Sequence, residues 1–189
     1  IYNSLSELKG SALKIAQMLS MDKNVLPKAY VNRFIQSQYN APPLSGPLII
    51  KTFTKSFGKS PEKIFDTFNL NSIRAASIGQ VHVATLNGKK LAIKIQYPGV
   101  ADSISSDLKL VKPFAFRLLG MNEKELNIYI KEVEERLLEE TDYELEVRRS
   151  IEFSKACSKL KNVVFPVYYP ELSSAKIITM DWVEGFNPT

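Results

Sequence analysis

Ala75-Ala76-Ser77-Ile78-Gly79-Gln80-Val81-His82-Val83-Ala84-Thr85-Leu86-Asn87-Gly88-Lys89-Lys90-Leu91-Ala92-Ile93-Lys94-Ile95-Gln96 is the stretch that decides the fold. Gln80 to Leu86 and Lys89 to Gln96 alternate in polarity and are rich in β-branched residues, which is a strand pattern. Asn87-Gly88 between them is a strong hairpin signal, because a type I′ turn needs positive φ at both central residues. A two-residue turn pairs Leu86 with Lys89, and therefore Val83 with Ala92 and Val81 with Lys94. Side chains alternate with period 2, so Val81, Val83, Ala92 and Lys94 share one face, three apolar groups around one ammonium. Pro98-Gly99 ends the second strand.

Such a face suits a nucleoside triphosphate. Lys94 can meet phosphate oxygens, the apolar trio can hold a base, and the Ser77-Ile78-Gly79 turn can turn N–H groups toward an anion. A buried ammonium needs a counter-charge. Glu140 is expected to supply it, because it continues the apolar stripe Leu126, Ile130, Val133, Leu137 of a helix. The plainer alternative stays open. A lysine alternating with apolar residues is commonly a solvated position, and Glu134, Glu135, Glu139 and Glu140 are commonly a solvated acidic face.

The bulk numbers exclude several classes. The chain has 189 residues, 44% hydrophobic and 24% charged, the composition of one ordinary globular domain. Its net charge of +5 suits a phosphate ligand or an anionic membrane surface. Acids are interleaved with the bases, so no nucleic-acid partner is expected. Cys157 and His82 are each alone of their kind, which excludes an internal disulfide and a zinc site of the usual kind. A reducing, cytoplasmic setting is expected, with no metal ligands in this chain. No apolar run of about 18 residues exists to span a bilayer. The chain begins at Ile1 without Met and stops at Thr189, which reads as a fragment.

Around the hairpin the pattern is mostly helical. Leu5, Leu8, Ala12, Ile15 and Leu19 form one helical stripe, with Gly10, Lys14, Gln17 and Met21 nearly opposite. Pro27 can open a second helix. Pro47 can open a third, carrying Ile49, Ile50, Phe53 and Phe57 and stopping at Gly58. Ser60-Pro61 is expected to start a short fourth through Phe68. Asp107 to Leu119 reads as helical despite Pro113. Asn122 with Glu125 makes a capping box for a long helix toward Leu160, with a break near Thr141 as the alternative. Val163 to Tyr168 and Lys176 to Val183 read as strands.

Four further stretches carry a resemblance: Lys9 to Leu19, Ala75 to His82, Glu140-Thr141-Asp142-Tyr143-Glu144-Leu145-Glu146, and Met180-Asp181-Trp182-Val183-Glu184-Gly185. In this order they resemble the Lys-x-Gly-Gln, alanine-rich loop, Glu-x-Asp and hinge signatures of the ABC1 (UbiB/ADCK-like) atypical kinase family. The resemblance implies an α+β fold, a protein-kinase-like N-lobe with an antiparallel sheet and a long C-type helix. A helical extension over 1–70 would precede a lobe over 71–189. Lys94 would hold the α/β-phosphates of ATP, with Glu140 as its ion-pair partner. Ala75, Ala76, Ser77, Ile78, Gly79, Val81 and Ala92 would line the nucleotide, with Met180, Asp181 and Val183 at the adenine edge. Lys14 and Gln17 would reach the cleft from the extension, anchored by Asp142 and Glu146. Mg²⁺ would be bound by a C-lobe lying beyond this chain.

The implied activity is that of an ATPase or small-molecule kinase supporting ubiquinone biosynthesis. Implied partners are nucleotide, quinone-precursor lipids or a membrane surface, and other quinone-biosynthesis proteins. Its rivals are a pseudokinase-like regulator that binds without turnover and an unrelated interaction domain. Two departures stand out. Ala16 replaces the signature glycine between Lys14 and Gln17, which favours helix by about 1 kcal/mol but limits close backbone approach. Arg74 stands where a third alanine is common.

Overall fold

The computed structural model describes residues 43–76, 78–120 and 122–185. The expected hairpin is present. Strands β3 (Gly79–Leu86) and β4 (Lys89–Gln96) follow the short β1 (Thr67–Phe68) and β2 (Arg74–Ala76). Their turn has φ 51° at Asn87 and 74° at Gly88, the left-handed pair that a type I′ turn demands. The last strand, β5, is Ile177–Asp181. The described residues fall into two units: Ala75–Gly79 with Gln96–Thr141, and Pro43–Arg74 with Gln80–Ile95 and Asp142 onward.

The second unit is built on the sheet, ordered β1-β3-β4-β5. β1 is antiparallel to β3, with Phe68 opposite Ala84, and β5 is antiparallel to β4, with Lys94 opposite Ile178 and Ala92 opposite Met180. Helix α1 (Gly46–Phe57) covers one face. Pro47 opens it, and Gly58, at φ 70°, closes it by donating its N–H to Thr54 O. Ile49 and Phe53, one turn apart, are wholly buried with Leu91, Ile93, Ile95, Ala84 and Ile177. Full burial of one such side chain contributes roughly 2 kcal/mol. Phe53 also meets Phe65 and Phe68 edge-on, at centroid distances of 6.0 and 5.3 Å.

His82 is buried in this unit and stacks on Phe68 at 5.4 Å. Its Nδ1–H donates to Asn69 O at 2.9 Å, and its Nε2 accepts from Gln80 Nε2 at 2.8 Å. Asn69 O can only accept and the Gln80 amide nitrogen can only donate, so the ring is the neutral Nδ1–H tautomer. Gln80 Oε1 in turn accepts the Leu44 N–H at 2.9 Å, tying the start of α1 to the sheet.

The first unit is a helix pair, α2 (Val100–Leu119) and α3 (Glu123–Thr141). Ile104 and Leu108 pack with Val133 and Leu137. The capping box closes in both directions: the Glu125 N–H donates to Asn122 Oδ1 at 2.9 Å, and the Asn122 N–H to Glu125 Oε2 at 3.2 Å. In the same unit the Ile78 carbonyl accepts the Tyr97 N–H at 2.9 Å, fastening the alanine-rich turn to the exit of the hairpin.

Three expectations are corrected and one alternative is decided. The segment after Ser60 is one 3₁₀ turn, Pro61–Lys63, and Phe68 lies in β1 instead of a helix. α2 begins at Val100, seven residues before Asp107, and keeps Pro113 within it. The long helix takes the alternative with a break near Thr141: α3 ends at Thr141 and α4 is Tyr143–Ala156. Val163 to Tyr168 makes no strand, only an isolated bridge from Tyr168 to Met180. Pro166 has no N–H for a ladder, and Val164 stays 79% exposed, so nothing there rewards strand formation.

Candidate functional site

The site sits on the sheet face opposite α1. Ala84, Leu91, Ile93 and Ile95 point into the core, so alternation turns Val81, Val83, Ala92 and Lys94 the other way. Ala92 faces Met180 and Lys94 faces Ile178 across the β4–β5 pairing, which adds both to that face. The result is the apolar face with one ammonium that the sequence implies. Val81, Val83 and Met180 are half-buried.

α4 supplies the counter-charge. Asp142 caps this helix, its carboxylate accepting the Leu145 N–H at 2.9 Å. Tyr143 and Glu146 then lie one turn apart on the side toward β4. Lys94 Nζ donates to both oxygens of Glu146, each at 2.9 Å, and lies 4.6 Å from the centroid of the Tyr143 ring. The lysine and glutamate side chains are 19% and 35% exposed, while Tyr143 is fully buried. The ammonium is thus held from one side by a carboxylate and from another by an aromatic face.

This corrects the expected pairing. The acid on Lys94 is Glu146, where Glu140 was expected. Glu140 is the penultimate residue of α3, and the cap at Asp142 restarts the helical phase, so the stripe through Leu137 and Glu140 does not continue into α4. The signal was present in the sequence. Tyr143 and Val147, both buried, begin a new i, i+4 stripe, and Glu146 borders it.

Met180 and Asp181 end β5, and Val183, 49% exposed, follows it. Asp181 is committed on both sides: its N–H donates to Val167 O at 2.8 Å and its Oδ1 accepts from Tyr169 Oη at 2.7 Å. That hydrogen bond pushes the Tyr169 phenol above its ordinary value. Ala75, Ala76, Ile78 and Gly79 belong to the other unit, where Ile78 is buried. Ser77, Lys14 and Gln17 lie outside the described residues. Among the described residues no group of three or more His, Cys, Asp or Glu side chains converges on a metal position. A groove of about 460 Å³ runs along α4 between Val147, Ile151 and Pro170, but neither Lys94 nor Glu146 lines it. The chemistry, not the cavity, therefore marks the site.

With this geometry in place, comparison with known proteins is informative. The model of the ABC1 atypical kinase-like domain matches residues 36–189. A probable serine/threonine-protein kinase, abkA of Dictyostelium discoideum, is 34% identical over 196 residues, covering 96% of this chain and 34% of that protein. The atypical kinase COQ8, mitochondrial, of Saccharomyces cerevisiae is 36% identical over 189 residues, covering 98% of this chain and 38% of that protein. The solved complex of Rv3197 with erythromycin from Mycobacterium tuberculosis superposes with a TM-score of 0.61 at 30% identity, over 97% of this chain and 47% of that one. The chain therefore spans less than half the length of each of these relatives. The fold is α+β and kinase-like, with helix preceding the sheet, and the chain belongs to the ABC1 atypical kinase-like family.

Proposed function

We propose that the chain carries the nucleotide-binding part of an ABC1-family atypical kinase or ATPase, and that ATP is its ligand. The observation that carries this reading is the Lys94–Glu146 pair at 2.9 Å beside the apolar face of Val81, Val83, Ala92 and Met180. An ammonium has three N–H groups. With Glu146 taking up to two of them, a remaining N–H would serve a phosphate oxygen, as the strand-lysine and helix-acid pair does in kinases. The base would lie against the valines and Ala92, with its edge toward Met180, Asp181 and Val183.

The metal that phosphoryl transfer needs, Mg²⁺, finds no ligand set among the described residues. Its ligands are assigned to the part of the relatives that this chain does not span. Residues 1–70 are assigned as an extension of the lobe at 71–189, with 43–70 packed directly on the sheet. The family resemblance gives the Ala75–Gly79 turn a share in phosphate binding and gives Lys14 and Gln17 a regulatory reach. It also gives the intact protein a role in ubiquinone biosynthesis, beside quinone-precursor lipids, partner proteins and a membrane surface. Among the described residues no helix is long and apolar enough to cross a membrane.

Titration calorimetry of the full chain with ATP and Mg²⁺ tests the reading. Lys94→Ala should weaken binding at least about tenfold, the loss of one charge-assisted phosphate contact. Unchanged affinity would remove Lys94 from the site. Binding by the intact protein without turnover would favour a nucleotide-binding regulator over an enzyme.

A further inference from the structure

The end of β5 carries a second arrangement around a lysine, on the opposite end of β4 from Lys94. The β4–β5 pairing does not stop with Asp181, because the Trp182 N–H donates to Lys90 O at 3.1 Å. Beyond that bond the side chains take over. One oxygen of Glu184 accepts from the Trp182 indole Nε1–H at 2.6 Å and from Lys90 Nζ at 3.2 Å. Lys90 Nζ also lies over the Trp182 ring, 4.3 Å from its centroid. Cation, ring and carboxylate thus form a closed triangle across two strands, with Val183 inside its span. The two donors hold Glu184 below the usual carboxylate range, so it is ionised at neutral pH.

We propose that Lys90, Trp182 and Glu184 are positioning residues that fix where the chain leaves β5 and thereby set the affinity of the Met180–Val183 segment for an adenine nucleotide. This rests on the nucleotide reading above. Each contact alone is weak at an exposed site, with Lys90 49% and Glu184 79% exposed. Their effect comes from geometry. A strand end has no ladder to hold it, and backbone groups that recognise a flat base must stay within a fraction of an ångström of their places. The triangle fixes residue 182 by its backbone and residues 182 and 184 by their side chains, which leaves Val183 little freedom between them. Neither Trp182 nor Glu184 needs to touch the ligand.

Trp182 is the only tryptophan of the chain, so its fluorescence reports the triangle alone, without any ligand. The experiment pairs acrylamide quenching of Trp182 with calorimetric titration of Mg²⁺–ATP, both on the full chain. Lys90→Met removes the cation and keeps the stem; Lys90→Arg keeps a cation able to pair with the carboxylate and stack on the indole. Lys90→Met and Glu184→Gln should raise quenching and weaken ATP by about two- to fivefold, while Lys90→Arg restores both. Unchanged quenching in Lys90→Met shows that no triangle forms and overturns the proposal. Raised quenching with unchanged ATP affinity shows that the triangle does not position the site and also overturns it. A wild-type chain that does not bind ATP overturns the nucleotide reading itself, a result distinct from either.

Discussion

Glu146 is the residue on which the site turns. Both of its oxygens serve Lys94, so Glu146→Gln leaves one weak acceptor and an ammonium that is only 19% exposed without its counter-charge. The variant should lose about 1–2 kcal/mol of stability, between the values for exposed and buried pairs, by urea denaturation. A change under about 0.3 kcal/mol would place the pair among the surface contacts that contribute nothing measurable. His82 makes a prediction of a different kind. Burial holds its pKa below the ordinary 6.5, against a smaller opposing effect of the bond to Asn69. The unfolded chain therefore takes up the proton first. The His82 contribution should be complete above about pH 6.5 and decline as pH falls through that value toward the lower folded pKa. Urea midpoints at pH 7.5 and 5.5 for wild type and His82→Asn measure it; an equal drop in both would assign the acid sensitivity to other groups. At this scale Lys94 was legible because alternation alone fixes its face. Its partner was not, because a helix stripe read across a cap carries the wrong phase.

Two short elements set where those residues stand. The Asn87-Gly88 turn fixes the hairpin register, and its left-handed φ values leave little choice of residue. A Cβ at Gly88 would meet nothing within 4 Å, so Gly88→Ala should cost about 1–2 kcal/mol from backbone strain alone, measured as a lowered urea midpoint. The Asp142 cap matters more for the site. Asp142→Ala should cost about 1 kcal/mol. It should also weaken ATP, because α4 delivers both Tyr143 and Glu146 to Lys94. Lost stability with unchanged ATP affinity would show that the first turn of α4 does not position the pair. Turn and cap chemistry were readable from Asn-Gly, Asn122-x-x-Glu125 and Pro47 with Gly58, since each is decided within a few residues. The segments at Ser60 and Val163 were misread because tertiary pairing decides them: Phe68 pairs with β3, and the Val163 segment, with Pro166 inside it, reaches β5 only by an isolated bridge at Tyr168.

For the molecule as a whole, the sheet unit holds the Lys94–Glu146 pair and the helix pair keeps its own core, Ile104 and Leu108 against Val133 and Leu137. The kinase-like character was legible because four motifs in order constrain a fold more tightly than any one of them. The central claim is that Glu146 acts on nucleotide only through Lys94. The most direct measurement is a double-mutant cycle on Mg²⁺–ATP affinity with Lys94→Met, Glu146→Gln and the double variant of the full chain. Each single variant should weaken binding, and the double should bind no more weakly than Lys94→Met alone. Losses that simply add would show that the two residues act independently, and the ion pair would no longer explain the site.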